Sequence, residues 1–157
     1  MKVLRAAFAA AVVGATFAAA APAQAVIVPQ RSIAGVSIGA TQAQVRAVLG
    51  TPLQVRRGRN EFGPYVDLGY RRLRVTFQGA RRVTSVSTTR TAERTASGVG
   101  VGSTERVLLQ RIRVVSCATN FGFRRCTVGD ELPGRKVTAF HMKNGRVSRV
   151  TIGIVID

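Results

Sequence analysis

The sequence predicts an α+β fold of two tandem repeats, each a short helix followed by an antiparallel sheet of about three to four strands. Two observations lead to this prediction. The stretch GVSIGATQAQV that begins at Gly35 returns sixty-three residues later as GVGVGSTERVL from Gly98, with Gly, Val, Gly and Thr at matching places. Downstream of each copy, apolar residues alternate with polar ones and turn-forming residues separate the runs, which is typical of antiparallel hairpins.

The first segment of the chain is typical of a secretory signal peptide. Lys2 and Arg5 precede an alanine-rich apolar run, and the small residues at its end form a cleavage pattern with the cut after Ala25. The run is shorter than a comfortable membrane span. We therefore expect residues 1–25 to be removed and residues 26–157 to form a mature protein, without a membrane span, in the cell envelope or outside the cell.

Each repeat is predicted to begin with a helix that a threonine caps. Thr41 and Thr104 follow the glycine-containing turns, where a hydroxyl group can accept a hydrogen bond from a free N–H group of the first helical turn. An apolar stripe of about two turns starts at Val45, and Gly50 ends the first helix. Leu108 continues the stripe in the second helix, where no glycine marks the end.

The strands of the first repeat follow its helix. Residues 54–62 are polar and rich in arginine, and we expect them to be a connector. Strands are predicted at 65–70, at 73–78 and at 83–89, because apolar residues alternate with polar ones in these runs. The irregular spacing of the last run indicates a bulge or a change of face.

The second repeat is predicted to carry a loop with two cysteines, a short strand at 127–128 and two longer strands around 137–142 and 150–156. Asn144-Gly145 between the longer strands predicts a tight type I′ turn, because both residues tolerate a positive φ. The predicted division of the chain is therefore a signal peptide (1–25), a first repeat (26–90), a linker (91–97) and a second repeat (98–157).

Cys117 and Cys126 are the two cysteines of the chain. In an oxidising compartment a disulfide is the expected state of such a pair. Their spacing is not that of a C-x-x-C redox motif, and His141, the single histidine, cannot complete a four-ligand metal set with them. We predict a structural disulfide and neither a metal nor a cofactor.

The charge balance is strongly basic, with 24 Lys and Arg against 7 Asp and Glu and a net charge of +17. The leader holds two of the basic residues and no acid, which leaves +15 on the mature chain. From this charge balance we expect the protein to act near a polyanionic surface.

The sequence shows no catalytic motif. His141 has no nucleophile motif beside it, and the glycine-rich GVGVG lacks the Lys-Ser or Lys-Thr that ends a phosphate-binding loop. We therefore predict that the protein is not an enzyme.

The pattern G-x-T-x-x-Q-V-x-x-x-L-G-x-P, from Gly39 to Pro52, resembles the opening signature of the SmpA/OmlA (BamE)-like outer-membrane-assembly lipoproteins. The doubled arrangement of a capped helix and a sheet is similar to that of the secreted beta-lactamase inhibitor proteins, which share the motif. The second resemblance implies a concave sheet face that meets a protein partner. It also implies a disulfide that pins the loop after a helix, a place that Cys117 and Cys126 match in the second repeat only.

The first functional hypothesis is a secreted, non-catalytic protein-binding module. Aromatic residues in or near loops are its candidate contacts, and the loop 120–123 is the strongest because the disulfide would hold it. The same residues could instead fill the core of a small domain. The candidate partner-binding residues are Asn120, Phe121, Phe123, Tyr65 and Tyr70.

The alternative is a cationic protein that binds a polyanion, such as a wall polymer, an acidic polysaccharide or extracellular DNA. Arginine clusters would supply donors to phosphate or carboxylate groups. The same charges could merely prevent the sheet from pairing with its neighbours. The candidate polyanion-binding residues are Arg56, Arg57, Arg59, Arg71, Arg72, Arg74, Arg124 and Arg125.

Overall fold

The computed structural model describes residues 26–79 and 81–156. The predicted signal peptide at 1–25 lies outside these residues. In the described part, the chain is mostly β, with two short helices and two antiparallel sheets. Neither of the helices found there has the length and hydrophobicity that a membrane span would need.

The elements divide into a small sheet, two helices and a large sheet. The small sheet has the strands β1 (Ile27–Val28), β2 (Ser32–Ile33) and β3 (Val36–Ser37), and the helices are α1 (Gln42–Leu49) and α2 (Glu105–Arg111). The large sheet has the strands β4 (Gln54–Asn60), β5 (Gly63–Tyr70), β6 (Leu73–Gln78), β7 (Ser85–Thr88), β8 (Ser116–Asn120), β9 (Phe123–Val128), β10 (Lys136–Lys143) and β11 (Arg146–Ile154). Its spatial order is β4-β5-β6-β7-β11-β10-β9-β8.

The predicted fold class is wrong. The chain does not form two repeats that each carry a helix and a small sheet, because β7 pairs with β11 and joins all eight strands into one sheet. Thr88 lies opposite Val150, and Val86 lies opposite Ile152. Edge strands have unpaired N–H and C=O groups, and this pairing satisfies them at the centre of the sheet. Sequence alternation predicts strands, but it does not specify which edges meet.

Two predicted loops are strands. The expected connector at 54–62 contains β4, which pairs with β5 over seven residues, among them Val55 opposite Leu68. It shows no alternation because it is an edge strand whose residues are exposed, apart from a half-buried Val55. The expected cysteine loop is the hairpin of β8 and β9.

The predicted helix caps are confirmed. The Thr41 hydroxyl accepts a hydrogen bond from the Gln44 backbone N–H at 3.3 Å, and the Gln44 side chain accepts one from the Thr41 N–H at 2.8 Å. This reciprocal arrangement is a capping box. Thr104 caps α2 with its hydroxyl in the same way. Val45 of α1 and Leu108 of α2 are buried, so each short helix is held by packing rather than by its own stability.

The core lies on one face of the large sheet. Phe77 of β6, Phe140 of β10 and Ile152 of β11 are fully buried there. Both helices and the small sheet place apolar side chains in the same cluster. The alternate residues of the eight strands lie on the other side, which we call the open face, and most of them are polar, charged or small.

The predicted disulfide is confirmed: Cys117 of β8 and Cys126 of β9 are directly paired and bonded. Closing a loop of about ten residues restricts the unfolded chain. We expect the double variant Cys117→Ala/Cys126→Ala to lose about 2–3 kcal/mol of unfolding free energy in urea denaturation under oxidising conditions. Reduction of the wild type should produce a similar loss, and an unchanged midpoint in both experiments would contradict the expectation.

Candidate binding face and hairpin tip

The tip of the β8–β9 hairpin carries the most exposed aromatic residues in the described part of the chain. Phe121 is 100% exposed and Phe123 is 78% exposed. Asn120 pairs with Phe123 as the last pair before the turn, and the disulfide joins the same two strands three pairs further along. The aromatic side chains therefore stand at the end of a cross-linked hairpin. We call residues 120–123 the hairpin tip.

The backbone of the tip is unfavourable for phenylalanine. Phe121 has a φ of 50° and Gly122 a φ of 80°, so both residues lie in the left-handed region. Asn144 and Gly145 in the β10–β11 turn have nearly the same values, 52° and 71°. Asparagine tolerates this conformation, whereas for a bulky residue it costs about 1 kcal/mol or more. The geometry of the turn alone would therefore favour asparagine at position 121.

The arginines beside the tip are neutralised by acids. Arg124 lies on the helix side of β9 and donates to both carboxylate oxygens of Glu105, at 3.3 and 2.5 Å. This hydrogen bond holds the pKa of the Glu105 carboxyl below its usual value. Arg125, on the open face, forms an ion pair with Glu131. The tip therefore presents aromatic surface rather than an excess of positive charge.

One row of paired residues crosses the open face from edge to edge. In spatial order it consists of Gln54, Gly69, Arg74, Ser87, Thr151, Ala139, Thr127 and Ser116. After Arg74 the row contains small residues. Ala139 and Thr127 are each only 7% exposed, although they lie on the open face. Between Arg74 and Ser116 the residues of this row are buried or half-buried, and we call this part of the row the floor of a trench.

Three basic side chains form one wall of the trench. Arg149, His141 and Arg125 are paired neighbours on β11, β10 and β9, and they lie in the next row along the strands. The pKa of His141 is below its ordinary value, first because the imidazole is partly buried and then because Arg149 and Arg125 lie nearby. His141 is therefore neutral at pH 7, between two permanent cations.

Two depressions lie along the trench, and the paired residues Ser87 and Thr151 line one each. The first, of about 310 Å³, lies over β4 to β7 and is framed by Arg56, Arg72, Arg74 and Arg149. Within residues 26–79 and 81–156, none of these four guanidinium groups forms an ion pair with a carboxylate. The second depression, of about 430 Å³, lies over β9 to β11, and its lining includes Arg125, His141, Thr151, Ala139 and Glu131.

The predicted polyanion-binding residues do not lie together. Arg56, Arg72 and Arg74 meet at the first depression, and Arg125 lies at the second. Arg57 and Arg59 are on the core side of the edge strand β4, Arg71 is in the β5–β6 turn, and Arg124 is on the helix side of β9. Sequence reasoning missed Arg149 and the place of His141 in the wall. The alternation of β11, which puts Arg149 next to the buried Val150, was the available signal for the first of them.

The predicted aromatic contacts are also divided between two places. Tyr65 is on the open face of β5, where its ring lies over Gly58. Tyr70 is on the core side, and its hydroxyl donates to the Gly50 carbonyl at 3.2 Å. Burial raises the pKa of that hydroxyl. Both tyrosines lie near the β4 edge of the sheet, whereas the hairpin tip lies at the β8 edge.

One group of potential metal ligands comes together in the described residues: Glu105, Cys117 and Cys126. The two sulfur atoms are bonded to each other, so they offer no thiolate to a metal ion. The Glu105 carboxylate is already engaged by Arg124. This cluster fits a structural role at the base of the hairpin.

No family model matches this chain. No curated protein matches it in sequence either. Its fold is similar to that of YjgB, a DUF4309 family protein of Bacillus subtilis, with a TM-score of 0.50 and 16% identity over 78% of this chain and 84% of that one. It is also similar to an extracellular protein containing an SCP domain from Bacillus anthracis, with a TM-score of 0.51 and 6% identity over 74% of this chain and 44% of that one.

A third structure, a candidate beta-lactamase inhibitor protein from Streptococcus mutans, matches with a TM-score of 0.35 and 8% identity over 74% of this chain and 84% of that one. This match is too distant to support an inference about function. The first two matches concern the fold alone at their levels of identity. An SmpA/OmlA-like domain is not among these three structures.

Proposed function

We propose that this chain is a secreted, non-catalytic module that binds a protein partner through its hairpin tip. The observation that carries the proposal is Phe121, a fully exposed aromatic residue in a backbone conformation that suits asparagine. Phe121 costs the fold free energy and buries no surface within it. A residue of this kind is expected to act in an interaction outside the fold.

The chemistry of the tip favours an apolar pocket on a protein. Phenylalanine offers a large contact area with few rotatable bonds, and aromatic side chains dominate the energetics of interfaces. The disulfide between Cys117 and Cys126 restricts the hairpin before binding, so less conformational entropy is lost on association. Because Arg124 and Arg125 are paired with acids, the tip offers little attraction to a polyanion.

Secretion and the lack of catalysis belong to the same proposal. A disulfide persists in an oxidising compartment, and the Bacillus anthracis protein with this fold is described as extracellular. His141 lies between Arg149 and Arg125, which oppose its protonation. In the described ranges no carboxylate is bonded to the imidazole to orient it as a catalytic base.

The test is capture of a partner by the immobilised mature protein, residues 26–157 with the disulfide formed, from the envelope and culture fluid of the producing organism. We compare the wild type with Phe121→Asn and with the control Phe62→Asn, which alters a partly exposed aromatic residue in the β4–β5 turn at the other edge. Washes at about 1 M salt weaken binding that depends on charge alone.

We expect one protein to remain on the wild type and on Phe62→Asn after the high-salt wash. Its affinity for Phe121→Asn should be at least tenfold lower, as for an aromatic hot spot. Equal retention by all three proteins would overturn the proposal. So would a retained fraction that is only polyanionic and leaves with salt.

A further inference from the structure

A second candidate binding site lies on the open face. We propose that the trench of this face binds a linear acidic polysaccharide, laid across the strands with its carboxylate or phosphate groups on the four unpaired arginines of the first depression. The trench passes from the first depression over β4 to the wall residue Arg125 on β9. Six strand spacings separate these ends, or roughly 30 Å. This length suits several units of a polymer rather than one small ion.

The unpaired arginines define the charge of the ligand. Arg56, Arg72, Arg74 and Arg149 surround the first depression, and none is paired with a carboxylate in the part of the chain that the structure describes. Guanidinium groups bind carboxylate and phosphate with two parallel hydrogen bonds. Asp67, the acid in this depression, already accepts a hydrogen bond from the Thr76 hydroxyl at 2.6 Å. The depression therefore has an excess of charged donors that an anionic ligand would satisfy.

The floor and the remaining donors favour a polysaccharide over other polyanions. Proteins that bind single-stranded nucleic acid stack its bases on aromatic residues. The row that forms the floor carries no aromatic residue, and Tyr70, which lines the first depression, is on the core side with its hydroxyl bonded to the Gly50 carbonyl. A peptide needs acceptors for its N–H groups, but the strand carbonyls under the trench are used in the sheet. Hydroxyl groups such as those of Ser87 and Thr151, 2.9 Å apart, suit the hydroxyl-rich surface of a sugar.

His141 should make this binding depend on pH. The charged groups that face it are Arg149 on β11, Arg125 on β9 and, in the lining of the same depression, Glu131, which is paired with Arg125. The free protein holds the pKa of His141 below its ordinary value. An anion bound along the wall would raise this pKa, so binding would take up a proton. Affinity should therefore increase as the pH falls through the pKa of the complex.

The experiment measures binding of the mature protein to four labelled polymers: a polyuronate, a phosphodiester-linked polysaccharide, polyglutamate and single-stranded DNA. The trench variant is Arg74→Gln/Arg149→Gln. The control is Arg46→Gln/Arg106→Gln, which removes the same charge from exposed positions on the two helices, on the other side of the sheet. Unfolding curves show that both variants are folded before affinities are compared.

We expect the polyuronate or the phosphodiester-linked polysaccharide to bind best, and the better of the two identifies the anionic group. The trench variant should bind it at least tenfold more weakly, and the control should change less than about threefold, because contact charges outweigh distant ones. Equal losses of affinity in both variants would contradict the placement of the site, and tighter binding of polyglutamate or DNA would contradict the ligand class.

The pH dependence is measured with the polymer that binds best. The affinity of the wild type should rise several-fold from pH 8 to pH 5, and the rise should disappear in His141→Gln. An affinity of the wild type that does not change with pH would contradict the placement of the ligand along His141.

Discussion

Replacing Phe140 by alanine is expected to lower the free energy of unfolding by about 3–5 kcal/mol, measured by urea denaturation. Phe140 is fully buried on β10, opposite Val150 of β11 and Cys126 of β9. Removing its ring loses apolar contact and leaves a cavity between strands that are fixed by their hydrogen bonds. We expect so large a loss of unfolding free energy because Phe140 lies on the core side of the large sheet.

The matched control is Phe123→Ala, which removes the same ring from a side chain that is 78% exposed. An exposed substitution of this kind should change the unfolding free energy by no more than about 0.5 kcal/mol. If Phe140→Ala were no more harmful than Phe123→Ala, the assignment of the core side and the open face would be contradicted. The large difference that we expect would support the assignment of both faces.

The second large effect is expected from Gly100→Ala, which should destabilise the fold by about 3 kcal/mol. A Cβ atom at this position would lie 2.3 Å from the backbone oxygen of Glu93. That backbone cannot move aside easily, because Arg94 pairs with Gly100 and its carbonyl accepts a hydrogen bond from the Ile27 N–H at 2.8 Å. The middle glycine of GVGVG is thus explained by a crossing chain rather than by a bound phosphate.

Gly58→Ala is the control for Gly100→Ala. Its new Cβ atom would lie 2.6 Å from the Tyr65 hydroxyl oxygen, which is the far end of a side chain that can rotate away. Alanine also restricts the unfolded chain more than glycine does, which offsets part of the clash. We expect a change below about 1 kcal/mol for Gly58→Ala. Equal losses for the two alanine variants in urea denaturation would contradict the close backbone crossing at Gly100.

Local features of this fold could be predicted from the sequence because they depend on nearby residues. Thr41 and Gly50 bound α1 through contacts within the helix, and Asn144-Gly145 forms the predicted tight turn. The disulfide between Cys117 and Cys126 could be predicted from the cysteine count and from the oxidising compartment that the sequence leads us to expect. In contrast, β4 could not be predicted, because an exposed edge strand needs no alternation of apolar residues. Its polar, arginine-rich sequence is equally typical of a connector.

The large sheet and the trench could not be predicted in this way because both depend on long-range register. Ser87 and Thr151 lie side by side on the trench floor although 64 positions separate them in the chain. The wall of Arg149, His141 and Arg125 exists only because β11 lies beside β10 and β10 beside β9. Each strand has a similar alternation of apolar and polar residues, so the sequence does not show which strands are neighbours. It therefore does not show which arginines share one region of the sheet surface.

The hairpin tip could be predicted in part from the sequence. The sequence indicated that a disulfide would hold the aromatic residues around Phe121, but it placed them on a loop. The unfavourable backbone conformation of Phe121 is a property of the folded turn, which has the same geometry as the turn at Asn144 but a less suitable residue. Its meaning depends on both observations together, the exposure of the side chain and the conformation of the main chain.

The most direct test is therefore the unfolding free energy of Phe121→Asn against the wild type, measured in urea with the disulfide intact. If Phe121 serves a partner and not the fold, the asparagine variant should be more stable by about 1 kcal/mol, because it relieves the left-handed conformation and loses no buried contact. A variant that is less stable than the wild type would contradict this interpretation. Phe121 would then be a structural residue of the turn.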